Sequence, residues 1–443
     1  MAIARRVAAA IQEILGPSLD ELGRTTGVIR RQRKFSGCLL LRMIVLTLFA
    51  KPNAKLDDFR ATAAQMGMDV SEAAIKKRFS QKLVDFLREA LETAVKKTMA
   101  VASPSSSLLN KFTGVFIGDS TSFTLPEELA DEFPGCGGKS ESGRAALKIQ
   151  VLWELITGAI VFFELEPGRK SDAKSPIAQV SAPPGSLSVF DLGYFSLERF
   201  RTLSETKRCW ISRLQYGTKV LDCKGRPLSL LEFFRKHPGS GPVDVSVLLG
   251  EKERLPARLI AVRAPQEVAN GRRRAVRQKA QKDGRTSSRE YLEWQDWTIF
   301  VTNCESEKLT WKEIVVLYRA RWQIELLFKL WKSHNGIAVL KVGRPPVEQM
   351  AIIYSKLIGV ILQHWILLTA TWSNAQRSLR KAAKHLRDWV KQIVETLDDI
   401  EKLIGVLGRI EETLRGVTSV AKRKGRPSHA QLMMNPELLD WAP

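Results

Sequence analysis

Cysteine is scarce in this sequence, and the cysteines that are present follow no spacing typical of a cysteine-based site. The 443 residues include five cysteines, an odd number, and no two of them form a CxxC pair (Cys38, Cys136, Cys209, Cys223 and Cys304). A disulfide framework normally uses an even set, and a structural zinc site uses closely spaced pairs. Neither is indicated, and a reducing, intracellular setting is expected.

Long uninterrupted apolar runs are also lacking. The apolar stretch near the N-terminus is broken by Gln12 and Glu13, which makes it a poor secretory signal. The stretch 350–372 is more apolar, but Lys356 and His364 interrupt it before the ~20 apolar residues that a membrane span needs. We predict a buried core helix there, with a transmembrane span as the minor alternative, and no membrane partner.

Negative charge is in short supply relative to positive charge. Sixty-nine Lys and Arg stand against 47 Asp and Glu, which gives a formal net charge of +22, and 44% of the residues are hydrophobic. That hydrophobic fraction can form a sizeable core. An excess of positive charge spread along a folded chain favours a partner with dense negative charge, most often nucleic acid. A membrane-surface protein is the competing class, but no amphipathic anchor stands out.

Residues 1–99 have a helical pattern that includes a candidate helix-turn-helix. Helices are predicted at Leu56–Met66 and Ser71–Lys97, joined through Gly67 as a C-cap and Ser71 as an N-cap. Three basic residues lie near the start of the second helix, where a recognition helix would meet DNA (Lys76, Lys77 and Arg78). Many helix pairs are purely structural, so both interpretations stay open.

Strand patterns follow the Ser- and Pro-rich linker at 103–107. Apolar residues alternate with Lys148, Gln150 and Glu154, turn at Thr157 and Gly158, and return, which predicts a hairpin. Helical and strand patterns then alternate (Leu197–Lys207 and Trp210–Leu214). This mixture predicts an α/β core.

Two acidic residues each follow a short apolar strand. Asp119 follows the strand at Val115–Ile117 and opens Asp-Ser-Thr, and Asp191 follows the strand at Leu187–Phe190 and opens Asp-Leu-Gly-Tyr. An acid at the carboxyl end of a strand is usually a turn former, so each alone is more often structural. Two acids from neighbouring strands are more informative, because hard divalent cations need clustered oxygen ligands.

Between Tyr216 and Tyr291 the pattern becomes irregular and polar, which predicts an insertion that is β-rich in its first half. Its second half carries a dense basic run (Arg272, Arg273, Arg274, Arg277, Lys279, Lys282 and Arg285). Such a run either contacts phosphate or is solvated; the net charge of the chain favours phosphate.

The core resumes with a strand at Trp297–Thr302 and a long helix at Trp311–His334. At ~100° per residue, four side chains of this helix fall on one narrow face, with Trp322 beside it (Tyr318, Arg321, Glu325 and Lys332). A solvated face would not need the two aromatics. On a face that overlooks a DNA end, Glu325 would bind metal, Arg321 and Lys332 would hold phosphates, and Tyr318 and Trp322 would provide hydroxyl and stacking contacts.

From Pro345 onward the pattern is again helical. Apolar residues recur at three- and four-residue steps (Leu386, Val390, Ile393, Leu397, Ile400, Ile404, Leu407 and Ile410). This stripe suits a self-associating helix or packing within the chain, and the sequence alone does not favour the first.

The spacing Tyr318-x2-Arg321-x3-Glu325-x6-Lys332 resembles the signature of the IS-four group of insertion-sequence transposases at all four positions. The resemblance extends to Asp119, to Asp191 and to the long gap before Glu325, and it covers about 113–336. It implies a ribonuclease H-like catalytic core, interrupted by a β-rich insertion, in which Asp119, Asp191 and Glu325 form the catalytic and metal-binding DDE triad.

The resemblance also implies how the enzyme works. Two Mg2+ ions, with Mn2+ as a substitute, would drive cleavage and joining without a covalent enzyme intermediate, through a DNA hairpin. Arg213 and Trp297 resemble positions that handle the transferred strand and its flipped base. Group members act as dimers on two element ends, so the expected partners are element ends, target DNA and a second copy, in the bacterial cytoplasm at the nucleoid. A related nuclease and a catalytically silent DNA-binding protein are the rival functions.

These observations predict five segments. They are a helical DNA-binding domain at 1–103, the first part of the ribonuclease H-like core at 108–215, the β-rich insertion at 216–292, the second part of the core at 293–344, and a C-terminal helical region at 345–443 as the candidate dimerisation region.

Overall fold

The structure is a computed structural model, and it describes residues 2–31, 34–101, 106–137, 143–236, 241–340, 343–372, 377–418 and 427–439. Most of the predicted linker at 103–107 lies outside these residues. Helices precede the first strand, as the sequence predicts: α1 (Ala2–Ile14), α2 (Ser18–Thr25), α3 (Gly37–Ala50), α4 (Leu56–Gln65), α5 (Glu72–Lys76) and α6 (Gln81–Lys96).

The middle of the chain alternates strands and helices. In chain order these are β1 (Val115–Thr124), β2 (Ala146–Glu154), β3 (Ile160–Pro167), β4 (Leu187–Phe190), α7 (Leu197–Glu205), β5 (Cys209–Arg213), β6 (Val220–Leu221), α8 (Leu230–Arg235), β7 (Val243–Leu249), β8 (Leu255–Arg263), α9 (Gln266–Lys282), α10 (Arg289–Trp294) and β9 (Trp297–Thr302). The predicted hairpin is β2 and β3.

Within the described residues, the nine strands form one mixed sheet in the order β3-β2-β1-β4-β5-β9-β8-β7-β6. The pairs β1–β4 and β4–β5 are parallel, and the other pairs are antiparallel. The strands of the predicted insertion, β6 to β8, extend the sheet from β9. The fold is therefore α/β with a mostly antiparallel sheet, flanked by helices at both ends of the chain.

The remaining helices follow β9. They are α11 (Trp311–Ala320), α12 (Trp322–Lys329), α13 (Pro346–Thr371), α14 (Leu379–Leu386), α15 (Val390–Thr396), α16 (Ile400–Val417) and α17 (His429–Met434). The predicted long helix at Trp311–His334 is α11 and α12, which meet at Arg321, followed by a π-helical turn at Leu330–His334.

The helix α13 is the centre of the helical part of the molecule. It is long and apolar enough to cross a membrane by length and composition, but its apolar window is entirely buried within the protein, as a core helix should be. It packs against α3 and α6 from one end of the sequence and α16 from the other. Arg42 of α3 also forms a bidentate pair with Asp398, at 2.8 and 3.1 Å. The two helical regions therefore share one core.

The apolar stripe from Leu386 to Ile410 does not lie on a single helix. It runs through α14, α15 and α16, and Leu386, Val390 and Ile410 are among the members buried in the shared core. Apolar side chains at these steps lie where the chain itself can cover them. Packing within the chain accounts for the buried members of this stripe.

Two local predictions were wrong. The helix predicted at Ser71–Lys97 is broken, because Ser80 adopts an extended backbone between α5 and α6 and Phe79 turns its ring edge-on to Phe59 of α4. The caps were right: Gly67 has φ +74° after α4, and the Ser71 hydroxyl accepts from the Ala74 N–H. The basic run predicted as irregular lies mostly in the 17-residue helix α9.

Candidate active site

Asp119 and Asp191 lie side by side where two parallel strands part. β1 pairs with β4 up to the partners Gly118 and Phe190, and the residue that follows each of these two partners is an aspartate. The expectation that Asp119 ends its strand was wrong, because β1 continues to Thr124 through its pairing with β2. Beyond Gly118 the β4 side of β1 is therefore open, and it is here that Asp119 lies.

Glu325 completes the group from α12, which packs against β1. Its carboxylate lies near those of Asp119 and Asp191 through a shared partner, the guanidinium of Arg321. Arg321 Nη1 is 3.0 Å from Asp119 Oδ2, Nε is 3.5 Å from Asp191 Oδ1, and Nη2 is 2.6 Å from Glu325 Oε1. The structure thus brings together the three acids that the sequence singled out.

This environment changes the proton affinity of one carboxylate strongly. The pKa of Asp119 is raised from 3.8 to about 7, chiefly by burial and also by the charges of Asp191 and Glu325, against the Ser120 N–H and Arg321, which lower it. Clustered carboxylates repel one another, and a nearby cation relieves that repulsion. The group is therefore one that gains from bound positive charge.

Tyr318 and Arg213 stand beside the acids. The Tyr318 ring meets Phe300 of β9 edge-on at 5.2 Å. The pKa of its hydroxyl is raised to about 12, chiefly by burial and also by the charge of Asp191, against Arg321 and Arg213, which lower it. Two cations and a phenolic hydroxyl around an acid suit a negatively charged substrate.

The ammonium group of Lys332 already has a hydrogen-bond partner within the chain, which the sequence did not indicate. Lys332 lies in the π-helical turn after α12, and its Nζ donates to the Ser122 carbonyl of β1 at 2.7 Å. Because the turn changes the winding of the helix, the ideal ~100° projection no longer applies there. Lys332 thus links the turn after α12 to β1 in this structure. To contact a phosphate, its ammonium group would have to leave the Ser122 carbonyl.

The two predicted aromatic contacts differ in exposure. Trp322 is 57% exposed and is available to a ligand. Trp297 opens β9 and is half-buried, with its ring 4.6 Å from that of Phe234. Phe300 of β9 pairs with Arg213. At ~3.3 Å per residue, Trp297 lies ~10 Å along β9 from Phe300.

Lys76, Lys77 and Arg78 lie at the end of the five-residue helix α5 and just after it, before α6 begins. Lys76 and Lys77 are exposed, whereas the Arg78 guanidinium lies 4.7 Å from the Phe35 ring centroid and donates to the Val28 carbonyl. Two of the three side chains are thus open to a partner.

A buried polar network on β2 was missed. Lys148 and Gln150 are buried, and both donate to Asp172 Oδ1 at 3.0 Å, as does the hydroxyl of Ser120, the neighbour of Asp119. Polar residues at alternate strand positions usually indicate a solvated face. Here they bond across to Asp172, and no local signal in the sequence indicates that partner.

Arg272 was also missed as an individual contact. Its guanidinium turns from α9 toward β9, where Nη1 donates to the Thr298 hydroxyl at 3.1 Å and to the Trp297 carbonyl at 3.4 Å. Burial lowers its pKa, and the charge of Arg213 lowers it further. The only sequence feature that marked Arg272 was its place in the basic run. These contacts hold its side chain against the core, whereas other basic side chains of α9 are exposed.

The donor set fits a hard divalent cation, since all three candidate ligands are carboxylates. In the described part of the chain, however, no group of three or more His, Cys, Asp or Glu side chains is arranged to hold a metal ion. The position of Arg321 between the carboxylates explains this: the right oxygens are present, and a guanidinium now shares them.

The sequence of the chain is similar to proteins of one family. Residues 110–357 match the family described as Transposase DDE domain. The chain is 28% identical to the transposase for insertion sequence element IS231C of Bacillus thuringiensis subsp. berliner, over 94% of this chain and 90% of that protein. It is 26% identical to the transposase for IS1151 of Clostridium perfringens, over 67% and 66%, and 24% identical to that for IS421 of Escherichia coli, over 78% and 89%.

Proposed function

The chain belongs to the DDE transposase family and, like the IS231 and IS1151 enzymes, to the IS-four group; from this premise we propose that Asp119, Asp191 and Glu325 cut the ends of an insertion sequence and join them to target DNA. Members of this family are DNA cleavage and strand-transfer enzymes that depend on a divalent metal. The observation that carries the residue assignment is the meeting of these three carboxylates around Arg321.

The strand arrangement supports a ribonuclease H-like core. The order β3-β2-β1-β4-β5, with β1 to β3 antiparallel and β4 and β5 parallel to β1, is what such a core requires, and the remaining strands extend it. Two acids then come from adjacent strands and the third from a helix packed on β1. On this proposal, the core would consist of 108–215 and 293–344, and 216–292 would be the insertion.

Asp119, Asp191 and Glu325 would hold the metal, which we propose is a pair of Mg2+ ions with Mn2+ as a substitute. When bound, these ions would activate the attacking water or 3′-hydroxyl and stabilise the leaving oxygen. The carboxylates would hold and orient the ions. Their own repulsion, relieved on metal binding, favours that role.

The surrounding side chains would position the DNA. Tyr318, Arg321 and Arg213 would bind phosphates of the cleaved strand, and Lys332 would join them by leaving the Ser122 carbonyl. Trp322, the exposed aromatic on the Glu325 helix, would stack on a base. Lys76 and Lys77, with Arg78 supporting their segment, would bind the terminal inverted repeat, and the exposed arginines of α9 would contact backbone phosphate.

We further propose that cleavage passes through a hairpin at the element end. Closing a hairpin bends the terminal nucleotides sharply, and a base flipped against Trp297 would relieve that bend. Two copies of the protein, each with one element end, would assemble before insertion, on a surface other than the buried stripe of α14 to α16. The enzyme would act on DNA in the bacterial cytoplasm, at the nucleoid.

The test is incubation of the protein with labelled element ends, a target plasmid and Mg2+, followed by denaturing gel analysis. Nicks, hairpins and joined products in sequence support the proposal. Cleavage without joined products would indicate a nuclease on the same core, and end binding without cleavage would indicate a silent DNA-binding protein.

A further inference from the structure

Arg321 binds all three proposed catalytic carboxylates at once. Each of its nitrogens faces a different acid, at 3.0 Å for Asp119, 3.5 Å for Asp191 and 2.6 Å for Glu325. The side chains of Arg321 and Asp119 are only 16% and 13% exposed, so their contact is largely shielded from water, whereas Asp191 and Glu325 remain partly exposed. A guanidinium in this position supplies the positive charge that three carboxylates require.

A divalent cation would need the same oxygens. Mg2+ binds carboxylate oxygens at 2.0–2.1 Å and tolerates little distortion, whereas the Asp119 and Glu325 oxygens are now directed at guanidinium nitrogens. The described residues contain no ready-made group of three metal-binding side chains. Arg321 therefore has to withdraw from at least part of the triad before metal is fully bound.

The bonding of Arg321 is also incomplete. Its buried Nε makes no hydrogen bond, although it lies within ion-pair distance of Asp191. A buried donor without an acceptor is unfavourable. A phosphate oxygen could fill this position, because a guanidinium binds phosphate through two parallel N–H bonds. The Tyr318 hydroxyl and Arg213, on the Asp191 side of the site, would favour that phosphate.

We propose that Arg321 is a displaceable counter-ion that keeps the triad closed to metal until a DNA phosphate draws it away. This inference rests on the proposed function of the triad. DNA backbone phosphate and divalent metal would then bind with positive coupling, because each favours the state in which Arg321 has left the carboxylates. Such coupling is reciprocal: DNA raises metal affinity by the same factor that metal raises DNA affinity.

The first experiment measures Mn2+ binding to the protein alone, from the loss of the free Mn2+ signal in electron paramagnetic resonance. Arg321→Gln should bind Mn2+ roughly tenfold or more tightly than the wild type, because a competing charge within the site has gone. The matched control is Arg60→Gln, which removes one positive charge from an exposed position on α4. It should leave Mn2+ affinity unchanged, and equal affinity in wild type and Arg321→Gln would overturn the proposal.

The second experiment rests on the wild-type protein, so its main comparison stands even if Arg321→Gln fails to fold. Wild-type protein is titrated with Mn2+ with and without a duplex oligonucleotide, and the same titration with Asp119→Asn corrects for metal bound to DNA. Duplex should tighten Mn2+ binding to the wild type, and Arg321→Lys, whose ammonium cannot span three carboxylates, should show weaker coupling. No effect of duplex on the wild type would refute the coupling.

These outcomes separate this inference from the function on which it depends. If the wild type cleaves DNA but shows no coupling, only the role of Arg321 falls. If Asp119→Asn binds Mn2+ like the wild type and still cleaves, the triad itself is wrong.

Discussion

Replacement of Trp297 distinguishes hairpin chemistry from simple nicking. If its ring receives a flipped base, Trp297→Ala should leave the first nick nearly unchanged and slow hairpin formation. Base stacking on an aromatic ring is worth ~1–3 kcal/mol, which corresponds to roughly a 5- to 160-fold slower step. Trp297 also packs on Phe234, and truncating a fully buried Trp costs about 3–5 kcal/mol. For a half-buried ring we expect roughly half of that in stability.

The assay is a time course on labelled element ends that resolves nick from hairpin, with melting temperatures measured in parallel. Trp294→Ala is the matched control, because Trp294 is another half-buried tryptophan, at the end of α10 just before β9, and packs against Tyr216. It should lower stability without favouring one step over the other. If Trp297→Ala slows nick and hairpin equally and melts lower, Trp297 is a core residue and the base-pocket assignment is refuted.

A companion variant, Tyr318→Phe, removes one hydroxyl and keeps the ring against Phe300. We expect it to slow hairpin formation, because a phosphate contact is lost, while the melting temperature stays within about a degree of the wild type. A loss of stability without any kinetic effect would contradict a phosphate-binding role for this hydroxyl.

Two further predictions concern residues outside the proposed chemistry. Arg42→Ala should lower the free energy of unfolding by about 2–3 kcal/mol, because a buried guanidinium is lost from the helical core. Asp398→Ala should lower it by under about 1 kcal/mol, since that carboxylate is 81% exposed. Equal losses for the two variants in urea melts would be inconsistent with this. The Cys304 thiol and then Lys308 lower the pKa of Cys209, so iodoacetamide should label Cys209 at lower pH than an ordinary thiol. Lys308→Gln should move the pH dependence of this labelling to higher pH. An unchanged pH dependence would show that Lys308 does not lower the pKa of Cys209.

The proposed site could be predicted from the sequence because its residues carry local signals. Asp119 and Asp191 follow apolar strands, and the spacing around Glu325 places several unusual side chains on one helix face. The sequence could not indicate the tertiary contacts of these residues. The extent of β1 beyond Asp119 depends on pairing with β2. The position of the Arg321 side chain depends on Asp119 and Asp191, which lie more than 100 residues away in the sequence, and on Glu325, one helical turn away.

Other differences have equally specific causes. The helix α9 was missed because it lacks an apolar face, although Arg, Lys, Gln and Ala are all good helix formers. Lys148 was taken for part of a simple alternation, yet it is buried because Asp172 lies opposite. The stripe from Leu386 onward follows helical steps through three separate helices, since apolar spacing does not reveal where a chain turns.

The most direct test of the proposed mechanism is the cleavage rate of Glu325→Gln. This change keeps the size of the side chain and removes the charge that metal requires, so with Mg2+ and labelled element ends the rate should fall by about 1,000-fold or more, a loss of ~4 kcal/mol or more in transition-state stabilisation. Binding of the ends, measured by gel shift, should be largely retained. Cleavage by Glu325→Gln at near the wild-type rate would contradict the assignment of Asp119, Asp191 and Glu325 as the catalytic triad.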